Sequence, residues 1–218
     1  MPARPIAVLF DLDGTLVDTI GFILASVRHT FEGYGGRAPT DAEWIAGIGT
    51  PLRAQLASFA ERPDHVEPLL ERYRAHQRLH FERMTRPFEG AVEVVRELAA
   101  RGHPVGVVTA KLHEPAERAV RLIGLEGCVE VIVSADSCPR CKPHPDPVLL
   151  ALRQVGREPA EALFVGDSPH DIAAGNAAGA VSAAALWGAC TREVLEAAGP
   201  GHLLADVREV PALVERLG

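Results

Sequence analysis

Five short, mostly apolar runs, at 6–10, 104–108, 129–133, 162–165 and 181–186, interrupted only by Glu130 and Ser182, alternate with stretches of helical spacing. An apolar run of that length, ended by polar turn residues, reads as a strand buried on both faces. The helical patterns fall at 91–101, 115–123, 147–155 and 172–178. Alternating strand and helix demands crossover connections, so the predicted class is α/β, a doubly wound parallel sheet with helices on both faces. Hydrophobic residues make up 47% of the 218 and charged residues 23%, which suits a packed core of that kind.

Residues 18–85 break the rhythm. They hold no convincing strand and several helix starts. Thr40-Asp41-Ala42-Glu43 and Asp64-His65-Val66-Glu67 both read as capping boxes, an N-cap acceptor with Glu three residues on. Pro51 suits a first helical position. The expected organisation is a core of residues 1–17 and 86–218 with a helical cap domain, 18–85, inserted after the first strand. Residues 86–90 would lead the chain back, and the helical spacing in 192–218 would close the core.

Charge excludes one class of partner. The net charge is −7, with no basic stretch of the kind that binds nucleic acid. No membrane partner is expected either, because the longest small-and-apolar stretch, 177–190, falls short of the roughly 18 residues that suggest a span. The run at 6–10 is too short for a signal-peptide core, so a cytoplasmic location is expected. Cys138-Pro-Arg-Cys141 is a single CxxC without the further ligands that zinc needs, and a structural or incidental role is the preferred reading.

Four segments follow predicted strands, and in a doubly wound sheet the carboxyl ends of the strands meet at one crevice. In Asp11-Leu12-Asp13-Gly14-Thr15, the carboxylates at i and i+2 leave a strand on the same side, and Gly14 permits a sharp turn. Two such charges repel by roughly 4 kcal/mol at about 4 Å and an effective dielectric near 20, so they call for a cation or a shared proton. Asp167 and Asp171, in Gly166-Asp-Ser168-Pro-His-Asp171, bring two more carboxylates, a set suited to Mg²⁺. Asp171 also reads as the N-cap of a helix starting at Ile172. The hydroxyl of Thr109 and the amides around Ala110 are placed to hold phosphate oxygens. Lys142 stands in Cys-Lys-Pro-His-Pro-Asp-Pro, a loop stiffened by alternate prolines. It is one of only two lysines among 22 basic residues, the other being Lys111. A lysine kept where arginine is the default suggests a site that needs a compact point charge.

The order DxDGT, strand-Thr, KPxP and GDSxxD resembles the haloacid dehalogenase superfamily, with its Rossmann-like core, and specifically its phosphatases. The helical insertion and Gly47-Ile-Gly-Thr-Pro-Leu52 are similar to the cap of phosphoglycolate-phosphatase-like members. The resemblance implies that Asp11 is a nucleophile forming an aspartyl-phosphate and that Asp13 is the general acid and then the base. It further implies that Thr109, the Ala110 amide and Lys142 hold the phosphoryl group. Mg²⁺ would be held by Asp11, the Asp13 carbonyl and Asp167, with Asp171, Ser168 and Gly14 in support. A small phosphorylated metabolite is the implied partner of a monomer or homodimer: phosphoglycolate first, then pyrophosphate or a sugar phosphate. The general acid Asp13 is present, as phosphatases require and dehalogenases do not. Residues 18–85 hold no lysine, against a phosphonatase-like Schiff base. A non-catalytic module on the same fold would be expected to lack one of Asp11, Asp13, Lys142 or Asp167. A nucleotide-binding oxidoreductase would carry GxGxxG after its first strand, and none follows residue 10.

Overall fold

The structure is a computed structural model that describes residues 5–218. After β1 (Ala7–Phe10) come the two-residue β2 (Val17–Asp18) and four helices: α1 (Ile20–Phe31), α2 (Asp41–Ala46), α3 (Leu52–Ala57) and α4 (Val66–Met84). The chain returns through β3 (Arg86–Pro87) to α5 (Ala91–Ala100), β4 (Val105–Val108), α6 (His113–Leu122), β5 (Val131–Val133) and α7 (Asp146–Gln154). It continues with β6 (Ala162–Gly166), α8 (Pro169–Ala178), β7 (Val181–Ala185), α9 (Arg192–Ala197), β8 (His202–Leu204) and α10 (Val210–Leu217).

Six strands form one parallel sheet in the order β5-β4-β1-β6-β7-β8. From β1 the chain winds outward through β4 and β5, then crosses back to β6 on the other side of β1. That reversal leaves a crevice at the carboxyl ends of β1, β4 and β6. Side chains alternate across the sheet. Val8 and Phe10 join Val94, Val95 and Leu98 of α5 and Leu213 and Val214 of α10 on one face. Ala7 and Leu9 join Val148 and Leu152 of α7 and Ala174 of α8 on the other. Every β1 side chain is buried, which is why the run lacks polar alternation.

The helices between β2 and β3 have an apolar cluster of their own, in which Ile23, Val27 and Phe31 of α1 meet Trp44, Leu56, Leu69, Leu70 and Tyr73. Phe22 and Phe81 instead pack into the cluster under the sheet, anchoring α1 and α4 to it. The Thr40–Glu43 capping box is formed at the start of α2.

Several local expectations are corrected. Asp64 is no N-cap: a short 3₁₀ turn, Pro63–His65, precedes α4, and Asp64 pairs with Arg62. Pro51 is the N-cap of α3, not its first helical residue. The helix expected at Ile172 starts at Pro169, so Asp171 is its third residue and Ser168 its N-cap. The ribbon of β2 and β3 and the edge strand β8 are too short to leave a pattern along the chain; each depends on a partner distant in sequence. No helix among the described residues is long and apolar enough to cross a membrane.

Candidate active site

β1 delivers Asp11 to the crevice. Its register sets Phe10 beside Val107 of β4 and Val165 of β6, and the Asp11 amide donates to the Val165 carbonyl at 2.8 Å. Thr109 follows β4 and Asp167 follows β6, so the three side chains emerge at one level. The loop between β5 and α7, with a cis Lys142–Pro143 bond, brings Lys142 in from the side.

Asp11, Asp167, Asp171 and Lys142 are all buried, with Asp167 at 0% exposure and Asp11 and Lys142 at 3%. The Lys142 ammonium lies 2.9 Å from Asp11 Oδ1 and 2.6 Å from Asp171 Oδ1, and donates to the Val108 carbonyl at 3.1 Å. Oxygens of Asp11, Asp167 and Asp171 come within 4.8 Å of one another. Three buried carboxylates thus share one ammonium. Burial pushes the Asp11 carboxyl up to about 7, Lys142 opposes the rise, and Asp171 adds to it. Burial, then Asp11 and Asp171, raises Asp167 well above the usual carboxylate range. For Lys142, burial works against the charge, but Asp11 and Asp171 outweigh it and raise its pKa.

The three carboxylates are not equivalent. Asp171 is the most engaged: Oδ1 takes Lys142, while Oδ2 accepts from the Ser168 amide at 3.0 Å and the Ser168 hydroxyl at 2.6 Å. It closes the capping box of the Ser168 N-cap and holds the lysine at once. Asp11 Oδ1 has the ion pair with Lys142 but no aligned hydrogen bond. Asp167 Oδ2 accepts from the Ala189 amide at 2.8 Å, and its Oδ1 sits 3.4 Å from the Thr15 hydroxyl. All three could hold a hard divalent cation, which takes carboxylate oxygens and completes its shell with water or phosphate, and Asp11 and Asp167 keep the most acceptor capacity free for it.

Backbone space around Asp167 is as specific as the charge. Gly14 turns at φ 85°, and a Cβ there would fall 2.1 Å from Asp167 Oδ2. A Cβ on Gly188 would meet Asp167 Cβ at 2.2 Å. Trp187 holds this wall by donating its indole N–H to the Thr15 carbonyl at 2.9 Å.

Asp13 stands apart from that cluster. Its Oδ1 accepts from the Thr19 hydroxyl at 2.7 Å and its Oδ2 pairs with Lys111 at 2.8 Å. Thr109 is buried and its amide is spent in the ladder to Val133, while its hydroxyl accepts from the Lys111 amide at 3.2 Å. Ala110 beside it is half-buried. From the inserted helices, Tyr73 reaches the field of Asp13: burial and then that charge raise its pKa, so the phenol keeps its proton. Gly49 comes so close to the α8 start that a Cβ would meet Ser168 Oγ at 2.8 Å. Arg53 points elsewhere, into an exposed pair with Glu67.

The motifs singled out in the sequence thus converge. Thr15 stood in the DxDGT motif without a role of its own, and Thr19, Tyr73, Trp187, Gly188 and Ala189 were missed. The last three lie after β7; Gly188 and Ala189 act through backbone space and an amide, and Trp187 through one indole N–H, none of which carries a chemical signal along the chain. The paired cysteines join no metal-ligand cluster among the described residues, and burial raises both thiol pKa values. A separate groove of about 570 Å³ between α4 and α6, lined by Phe81, Glu82 and Arg118, lies away from Asp11.

Comparison with known proteins decides the family. The model of haloacid dehalogenase-like hydrolases matches residues 8–185. The chain belongs to this family. Among curated relatives, the protein named pyrophosphatase PpaX from Halalkalibacterium halodurans is 35% identical over 213 residues, covering 97% of this chain and 96% of that one. The PpaX of Bacillus cereus strain AH820 is 36% identical over 203 residues, covering 93% of each. A solved structure from Haemophilus somnus 129PT, described as a predicted phosphoglycolate phosphatase, superposes with a TM-score of 0.87. It covers 98% of this chain and 99% of its own at 21% identity, a likeness that shows the shared fold. The chain is a family phosphatase.

Proposed function

We propose that this enzyme is a magnesium-dependent phosphatase that transfers a phosphoryl group to Asp11 and then to water. One observation carries the reading. Three buried carboxylates, Asp11, Asp167 and Asp171, face one ammonium, Lys142. Two negative charges are left over, which a single divalent cation cancels. Mg²⁺ bound by Asp11, Asp167 and the Asp13 carbonyl would neutralise the phosphoryl oxygens and the attacking carboxylate. The helical insertion acts as the cap that shuts water out.

The steps follow from the side chains. An Asp11 carboxylate oxygen attacks phosphorus, the bond to the leaving oxygen breaks, and Asp13 gives that oxygen its proton. Asp13 then takes a proton from water, whose oxygen displaces the Asp11 carboxylate from phosphorus. Lys142 offsets the charge brought together when an anion attacks an anion, while Asp171 and Ser168 hold Lys142 in place. Thr109 and the Ala110 amide orient the phosphoryl oxygens. Positioning and charge neutralisation dominate catalysis of phosphoryl transfer.

Pyrophosphate is the foremost substrate, supported by relatives named for that activity that match nearly end to end. Phosphoglycolate is the second, supported by the cap residues 47–52. The test is phosphate release with Mg²⁺ and with EDTA, for wild type and Asp11→Asn. Activity that stops with EDTA, and falls by about a thousand-fold or more in the variant, is expected. An unchanged rate in Asp11→Asn removes the nucleophile assignment. Comparing kcat/KM across pyrophosphate, phosphoglycolate and sugar phosphates ranks the substrates.

A further inference from the structure

The two lysines of the site differ in freedom. The Lys142 side chain is 1% exposed and committed to Asp11, Asp171 and the Val108 carbonyl. The Lys111 side chain is 16% exposed and its ammonium pairs with Asp13, whose side chain is 15% exposed. The main chain of Lys111 is clamped on both sides: its amide donates to Thr109 Oγ1, and its carbonyl accepts from the Ala135 amide at 2.9 Å. With its main chain fixed, Lys111 can move through its side chain alone, which is partly exposed. Asp13 has a second donor in Thr19, so it stays hydrogen-bonded if Lys111 turns away.

Where the proposed reaction places Asp13, beside the leaving oxygen, Lys111 stands next to the departing group. We propose that Lys111 is a specificity-determining residue that reads negative charge on the leaving group, exchanging Asp13 for the substrate. The class selected is small phosphate compounds whose leaving group carries an anionic oxygen near the scissile bond. The second phosphate of pyrophosphate and the carboxylate of phosphoglycolate both qualify; an uncharged sugar does not. A compact ammonium suits this exchange better than a guanidinium, which would hold Asp13 in a two-pronged grip. This inference rests on the phosphatase reading above and narrows it.

The experiment compares phosphoglycolate with its carboxyl methyl ester, which differ in that one charge, and includes pyrophosphate and p-nitrophenyl phosphate. Wild-type enzyme with Mg²⁺ is expected to favour the free acid over the ester in kcat/KM by on the order of 10- to 100-fold, the scale of a charge-assisted hydrogen bond. Lys111→Met should collapse that preference and lower the pyrophosphate to p-nitrophenyl phosphate ratio by a similar factor, mainly through KM. Lys111→Arg should restore part of it. Equal wild-type rates on acid and ester overturn the proposal, and that result needs no variant. So does a uniform loss across all substrates in a folded Lys111→Met, which would mark a structural role. Failure of wild type to release phosphate from any of them would instead remove the phosphatase reading itself.

Discussion

Lys142 holds two buried carboxylates together, and its removal isolates both. Lys142→Met leaves Asp11 and Asp171 facing each other without a counter-charge, at a cost of about 3–5 kcal/mol at neutral pH. Urea unfolding of the metal-free protein measures the loss, and a midpoint equal to wild type would contradict it. Gly14 is constrained by space as well as by its positive φ. Gly14→Ala places a methyl in the volume of Asp167 Oδ2 and puts a Cβ in the left-handed region, a local penalty of about 1–2 kcal/mol. Because Asp167 must move, the variant should need at least about ten times more Mg²⁺ for half-maximal activity. An Mg²⁺ titration of the rate checks this.

Helices α1 and α4 carry a histidine cluster that has no part in the proposed chemistry. The His76 ring lies 4.8 Å from that of His29 and 4.5 Å from that of His80. The Ser26 hydroxyl donates to the Phe22 carbonyl, so it accepts from His76 Nδ1–H, leaving Nε2 bare in the neutral ring. Burial, then His80 and His29, lowers the His76 pKa below 6.5. The unfolded chain therefore takes up this proton first as pH falls. The contribution to stability is complete above pH 6.5 and is lost as pH drops through the lowered native value. Proteolysis within 66–84 should accelerate below about pH 6.5, and His76→Gln should flatten that dependence. An identical pH profile in the variant would contradict the assignment.

At the scale of the molecule, the acidic cluster links protons, metal and stability. With Asp11 raised from 3.8 to about 7, the native protein holds a proton that the unfolded chain has released. The resulting destabilisation is absent below pH 3.8, grows between 3.8 and about 7, and is complete above it; Asp167 acts in the same direction. The metal competes with those protons, so the rise in Tm on adding Mg²⁺ should grow as pH increases from 5 through about 7. Asp11→Asn should raise Tm without metal at pH 8 and shrink the Mg²⁺ effect. A Tm shift independent of pH between 5 and 8 would break the linkage. Away from the crevice, Arg118 of α6 spans to α4, 3.0 Å from Glu82 and over the Phe81 ring, tying the inserted helices to the sheet layer.

The strand runs, the class of fold and the residues that meet in the crevice were legible along the chain, because burial on both faces leaves mostly apolar runs and turn chemistry is local. Asp11, Asp167, Thr109 and Lys142 could be placed together because parallel strands bring their carboxyl ends to one level. The division of labour among carboxylates could not be read that way. Asp171 looked like an N-cap or a metal support, and its bonds to Ser168 and Lys142 add a lysine-holding role that no local pattern shows. Only tertiary contact brought Lys111 onto Asp13, Tyr73 into the field of Asp13, and the Gly188–Ala189 backbone against Asp167. Each depends on distances between segments far apart in sequence, set by packing and by desolvation that acts once the chain has closed around them.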